Sequence, residues 1–298
     1  MELQQVRILV AVAEHRSFTR AAAALHVTQS SLSHSIAKLE TEIGLRLFHR
    51  TRHGAVLTSD GETLLVPARR ILQDFDLFDE AVSGIRGTTV GHLRLVYSQT
   101  ISVSTGKIIS EFTRRYPGIR MQISAPRDDS DIFHLVETGV CDVGLARIDE
   151  APPGVDTETI ATETLVLLLP QAWDSDPTRT DLPWDELSDV PLIVPPAGSA
   201  SRNRLDRFSN QIGITVNALL ENENRWMSIE MVRSGVAAFL ASQASESTIP
   251  GVVQKRLVPT ETSEVGIVTR PGLLTSATSA FAEVARDWGR DGTDNRRR

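Results

Sequence analysis

The stretch TQSSLSHSIAKLETEI, residues 28–43, decides how this chain is read. Its apolar residues Leu32, Ile36, Leu39 and Ile43 follow in steps of four, three and four, which lays one narrow stripe along a helix. The opposite side carries Gln29, Ser30, Ser33, His34, Ala37, Lys38 and Thr41. These are small or hydrogen-bonding groups with one cation among them. A helix that faces only water carries long charged side chains. This face suits a helix that approaches another surface closely, and the major groove of DNA is one such surface.

The flanks fit that reading. Upstream, Leu3, Val6, Val10 and Ala13 give a helix over 2–14, Ser17 can cap the next one, and Phe18, Ala21, Ala22 and Leu25 give a helix over 18–25. Four successive alanines, 21–24, favour helix and allow close packing. His26-Val27 makes a short turn and Thr28 is the expected N-cap of the third helix. Two short helices joined by a tight turn, the second polar on its outer face, read as a helix-turn-helix. Downstream, Gly44 is the expected helix stop, and LRLFHRT (45–51), a turn at Arg52-His53-Gly54 and AVLT (55–58) form a β-hairpin wing. Arg46, His49, Arg50, Arg52 and His53 give it a basic edge.

Residues 59–86 read as one long helix, with Ser59 and Glu62 as a capping box and Thr58 as a rival cap. Leu64, Ala68, Ile71, Phe75, Phe78, Val82 and Ile85 form a heptad seam. Such a seam pairs with another helix, so dimerisation is expected; the plainer alternative is packing on the chain's own body. Pro67 lies near the start, where a proline is least disruptive.

The bulk numbers agree with a small basic module on an acidic body. Residues 1–57 hold seven Arg/Lys against four Glu, a net +3, which leaves −10 for the remainder of a 298-residue chain whose total is −7. The one cysteine, Cys141, excludes an intramolecular disulfide and a cysteine-based zinc cluster, and fits a reducing cytoplasm. The N-terminus lacks the basic region and cleavage site of a signal peptide, and no run is long enough for a membrane span, so no membrane partner is expected.

After a short linker at Gly87–Gly91, strands and helices alternate. Strands are expected at 93–98, 120–125, 141–146, 163–170, 191–196, 215–222, 237–242 and 265–270, and helices at 102–115, 129–138, 201–212, 226–234 and 276–289. The early strand–helix–strand order implies parallel pairing. The tail from Arg290 is expected to be disordered.

The N-terminal residues resemble the LysR-type transcriptional regulators. The match runs through Ser17-Phe18, Ala21-Ala22, Leu25, Thr28-Gln29-Ser30, Leu32-Ser33, Ile36, Leu39-Glu40, Ile43-Gly44, Leu47-Phe48, Arg50, Leu57-Thr58 and Gly61, and continues more loosely to about residue 289. The resemblance implies a multidomain α/β chain: a winged helix-turn-helix at 1–58, a linker and dimerisation helix at 59–88, and an effector-binding domain at 89–298. That domain would resemble type 2 periplasmic binding proteins, with a first lobe at about 91–161 and 267–298 and a second at about 162–266. Two stretches depart from the family pattern: Ser30 and His34 replace residues common in relatives, which bears on base preference, and Ser234–Ala238 replaces a Gly-Leu-Gly stretch.

On this reading Thr28, Gln29, Ser30, Ser31, Ser33, His34 and Lys38 of the third helix, with Arg50, Arg52 and His53 of the wing, meet DNA. Gln29 can pair bidentately with adenine; capping and solvation are the plainer roles for the others. Two-fold symmetry then calls for an operator that is an interrupted inverted repeat. The effector, a small molecule between the lobes, would meet Ser98, Gln99 and Thr100 at one strand-to-helix corner, Arg127 and Ser130 at the next, and Arg147 after the third strand. Ser199 and Arg202 would face it from the second lobe, with Asn224, Arg225 and Trp226 closing the cleft. Three arginines at 127, 147 and 202 favour an anion, although Arg147 could instead pair with Asp149 or Glu150. The family implies self-association as a dimer or as a tetramer of two dimers, and admits RNA polymerase as a further partner.

An enzyme is not expected, and neither a cofactor nor a metal is. Cys141 lies in an apolar strand, the histidines cluster in the N-terminal module, and no phosphate-binding glycine loop is present. The rival readings are a solute-binding protein with a vestigial DNA module and an enzyme with an accessory one.

Overall fold

The stretch 28–43 folds as the helix its spacing requires, with Leu32, Ile36 and Leu39 at or below 2% exposure. The computed structural model describes residues 1–51, 54–85, 91–126, 128–222, 224–243 and 249–295. They divide into two compact units, and each is described by itself.

The first unit contains α1 (Leu3–His15), α2 (Phe18–Ala24), α3 (Gln29–Ile43), β1 (Phe48–Thr51), β2 (Gly54–Leu57) and α4 (Ser59–Ile85). The helix starts are capped as the residue types dictate. Ser17 Oγ accepts from Arg20 N at 3.3 Å and Thr28 Oγ1 from Ser31 N at 3.2 Å. Gly44, at φ 72°, takes the left-handed conformation that ends α3. Val6, Leu9 and Val12 of α1 and Ala21 and Ala22 of α2 close over the α3 stripe. Each fully buried Val, Leu or Ile side chain among these contributes about 1.5–3 kcal/mol.

The wing is fastened by backbone groups. β1 and β2 pair antiparallel, and Ala55 N donates to Arg16 O at 3.0 Å. A side chain at Gly54 would meet Arg16 O at 2.3 Å, so only glycine permits this approach. The first strand starts at Phe48 rather than Leu45, because Glu40 Oε1 accepts the N–H groups of Leu47 and Phe48. Thr58 caps α4, accepting from Gly61 N at 3.0 Å while donating to Arg46 O at 2.6 Å; Ser59, one of the two expected caps, is the first helical residue instead. Along α4, Leu64, Leu65, Ala68 and Leu72 pack into the unit's core, and the Arg7 guanidinium lies 4.9 Å from the Phe75 ring centroid. Ile71 and Phe78 of the same seam are exposed.

The second unit is built on one ten-stranded sheet that runs through two lobes. In the first lobe β3 (Gly91–Tyr97) pairs in parallel with β4 (Ile119–Ser124) and β5 (Val143–Arg147), the crossovers being α5 (Ser102–Arg115) and α6 (Ser130–Glu137). The fifteen-residue β6 (Asp156–Pro170) carries the chain across. Its residues up to Thr164 pair with β12 (Thr262–Thr269), and from Leu165 on they pair with β10 (Ala238–Ser242) and β11 (Val252–Val258). The second lobe adds β7 (Asp181–Pro183), β8 (Leu192–Val194), β9 (Ala218–Glu221), α7 (Ala200–Gln211) and α8 (Arg225–Arg233). Each lobe has its own core, one around Leu93, Leu95, Phe112 and Phe281, the other around Trp184, Leu187, Leu192 and Val194.

Further expectations change in the second unit. The strand expected at 163–170 begins at Asp156, and the one at 215–222 contracts to Ala218–Glu221. β7 and β11 were not anticipated. The last helix, α9 (Ser276–Asn295), continues past Arg290, where disorder was expected.

Candidate functional site

Two sites emerge, one in each unit. In the first, the α3 cap places Thr28, Gln29, Ser30, Ser31, His34 and Lys38 in solvent, with Ser33 half-buried. Thr28 Oγ1 is engaged by Ser31 N and lies 3.1 Å from Ser30 Oγ, so its first role is the cap. Lys38 Nζ lies 3.8 Å from Glu2, an exposed pair that water screens. Gln29 and His34 carry the largest polar groups on this face. Arg50 stands in β1 opposite Ala55, and Arg52 and His53 lie outside the described residues. The face is thus an exposed row of hydrogen-bonding side chains at the start of a helix whose opposite side is anchored in the core, which is the geometry of groove insertion.

In the second unit a cavity of about 100 Å³ opens between the lobes. Gln99, Thr100, Asp128, Asp129 and Arg147 line it from the first lobe; Ser199, Ser201, Arg225 and Ser242 line it from the second. Arg147 Nη2 donates to Ser242 Oγ at 2.6 Å, and Arg225 Nη1 donates to Ser242 O at 3.1 Å. Two guanidiniums from opposite lobes therefore meet at one serine. Burial lowers the proton affinity of Arg225, against the pull of Glu163. Arg147 Nη1 lies 3.9 Å from Asp129 Oδ2, and burial raises the Asp129 carboxyl above its ordinary range, with Arg147 and a hydrogen bond from Ser98 acting the other way. Arg204, also on the wall, is bound by Glu261, by Asp149 and by Thr262 O.

The expected effector residues divide. Gln99, Thr100, Arg147 and Ser199 stand on the cavity wall. Ser98 is fully buried beneath it, its hydroxyl donating to Asp129 at 2.9 Å and lying 2.7 Å from Thr100 Oγ1. Ser130 faces a larger neighbouring cavity of about 640 Å³. Arg202 lies off both walls, held by Asp206 at 2.9 Å, Glu221 at 3.0 Å and Pro195 O at 3.2 Å. Trp226 is 67% exposed and also stands off the cavity, and Arg127 lies outside the described residues. Asp149 and Glu150 pair with Arg204 and Arg207 rather than with Arg147. The reading by residue type passed over Asp128, Asp129 and Ser242. The available signal for the acids was position: they stand in the connection from β4 to α6 as Ser98 stands in that from β3 to α5. Among the described residues no cluster of His, Cys, Asp and Glu could hold a metal ion.

Comparison with known proteins bears on both sites. The family model for a bacterial regulatory helix-turn-helix protein of the lysR family matches residues 3–62, and the model for the LysR substrate binding domain matches residues 86–290. An uncharacterized HTH-type transcriptional regulator of Shigella flexneri, YfeR, is 30% identical over 96% of this chain and 94% of its own. The regulator TfdT of Cupriavidus pinatubonensis is 33% identical over 66% of this chain and 86% of its own. Among solved structures, a full-length OxyR variant of Pseudomonas aeruginosa is similar with a TM-score of 0.75 at 22% identity, covering 96% of this chain and 98% of that one. Full-length CbnR in complex with its target DNA is similar with a TM-score of 0.65 at 22% identity, covering 97% and 100%.

Proposed function

Because the chain belongs to the LysR family of transcriptional regulators, with a helix-turn-helix and a substrate-binding domain and no enzymatic role, we propose that its effector is a small anion held between the lobes by Arg147 and Arg225. The observation that carries this is the convergence of both guanidiniums on Ser242 at the cavity wall. A carboxylate there accepts charge-assisted hydrogen bonds from donors the protein leaves open, since Arg225 makes one hydrogen bond to the described residues. Because the two arginines come from different lobes, the bound anion ties the lobes together and biases their closure.

Residues 1–58 then read DNA, 59–88 join two copies through α4, and 89–298 sense the effector. Gln29, Ser30, Ser33 and His34 meet base edges, and Arg50, Arg52 and His53 meet the backbone. The operator is an interrupted inverted repeat, the protein acts in the cytoplasm, and RNA polymerase is the partner downstream of DNA binding.

Calorimetric titration of the full chain with a panel of small carboxylates tests the effector. A saturable heat that vanishes in Arg225→Ala supports the reading, and an unchanged heat moves the site. Gel-shift with genomic fragments tests the DNA side; binding with no sequence preference over competitor would sink it.

A further inference from the structure

Asp129 is a cavity residue that anion binding leaves unused. It directly precedes α6, and its backbone carbonyl accepts from Ile132 N in the first turn of that helix, which fixes its place on the wall. Its Oδ2 accepts from Ser98 Oγ at 2.9 Å and lies 3.9 Å from Arg147 Nη1. Its Oδ1 takes no hydrogen bond from any described residue. One carboxylate oxygen is thus held in place by Ser98, while the other is bonded to no described residue in a side chain that lines the cavity.

The local charge balance points the same way. Arg204 is neutralised by Glu261 and Asp149. What remains on the wall is Arg147 and Arg225 against Asp128 and Asp129. A bare carboxylate adds a third negative charge to a wall where two acids already face two bases, and it leaves Asp129 Oδ1 without a donor from the described residues. A carboxylate that brings its own donor relieves both problems, and an ammonium relieves them better than a hydroxyl.

Resting on the carboxylate reading above, we propose that Asp129 sets the chemical class of the effector: its free oxygen accepts from a donor beside the ligand's carboxylate. The site therefore takes a small amino acid, takes the matching hydroxy acid less well, and discriminates against the plain acid.

Three compounds on one three-carbon skeleton test this: L-alanine, L-lactate and propionate, titrated against the full chain. The expected order is alanine, then lactate, then propionate. The first and last differ on the order of tenfold or more, as a hydrogen bond to a charged group implies. Asp129→Asn removes the charge and keeps the shape; alanine then weakens, propionate strengthens and the ratio moves toward one. Asp129→Glu, which displaces the oxygen by a methylene, weakens alanine and leaves propionate unchanged, and serves if the Asn variant fails to melt cooperatively. Equal affinity for alanine and propionate in the parent protein overturns the proposal, as does a ratio that neither variant alters. Absence of binding by all three removes the carboxylate reading itself, and this inference with it.

Discussion

Glu40 Oε1 accepts the backbone N–H groups of Leu47 and Phe48 at 2.7 and 3.2 Å, so one half-buried carboxylate sets where the wing leaves α3. Glu40→Ala orphans both donors and is expected to lower the stability of the DNA-binding unit by about 1.5–3 kcal/mol. Urea unfolding reads this, and Glu40→Gln, which keeps an acceptor, should recover most of the loss. Asp129 makes a second prediction with a defined sign. Its carboxyl is raised in the folded state, chiefly by burial, so ionising it costs stability. That cost is absent while both states are protonated. It sets in as pH rises through the unfolded value near 3.8 and is complete above the folded one. Asp129→Asn should therefore melt higher than the parent protein at neutral pH, with the gap closing below about pH 4; a gap that widens on acidification contradicts this. At this scale the caps Ser17, Thr28 and Gly44 were legible because each acts on its own neighbours. Arg202 was misjudged although its partner Asp206 stands four residues on, a helical pair visible in the sequence.

The helix α4 shows what a periodic pattern leaves open. Its seam divides: Leu64 and Ala68 join the core and Phe75 meets Arg7, while Ile71 and Phe78 stand at 41% and 65% exposure. The own-body alternative thus accounts for part of the stripe, and the exposed part is what a partner helix would have to cover. If the exposed part pairs two copies, Phe78→Glu should yield a folded monomer, with unchanged circular dichroism and half the mass by sedimentation. A variant that stays associated places the interface elsewhere. Other elements were hidden for stated reasons. β11 was missed because Lys255 occupies a core-facing position, which spoils the alternation. The structure accommodates it by pairing its ammonium with Asp174 at 2.8 Å and with the carbonyls of Asp176 and Arg179. The first half of β6 was missed because its residues Asp156–Glu163 are mostly polar and exposed, which reads as loop.

Across the whole molecule, the two-unit plan was legible in composition, since a basic N-terminal module and an alternating α/β body differ in texture. The cavity was not legible from residue types alone. Its wall takes Gln99, Asp129, Arg147, Ser201, Arg225 and Ser242 from six separate segments, and only the sheet that continues through both lobes along β6 brings them together. Its residues also join two kinds of work: Arg147 bonds Ser242 across the lobes and faces the ligand space at once. A ligand there must therefore act on the second unit alone at first. Stabilisation by a ligand that binds only the folded state follows mass action and reaches about 2.7 kcal/mol at a hundred times its dissociation constant. Scanning calorimetry of the full chain with a bound carboxylate should accordingly raise the transition of the effector-binding unit with ligand concentration. The transition of the winged helix-turn-helix should stay in place when the two are resolved. In Arg225→Ala neither transition should respond. A ligand-dependent rise confined to the DNA-binding unit would place the anion outside the interlobe cavity and remove Arg147 and Arg225 from its recognition.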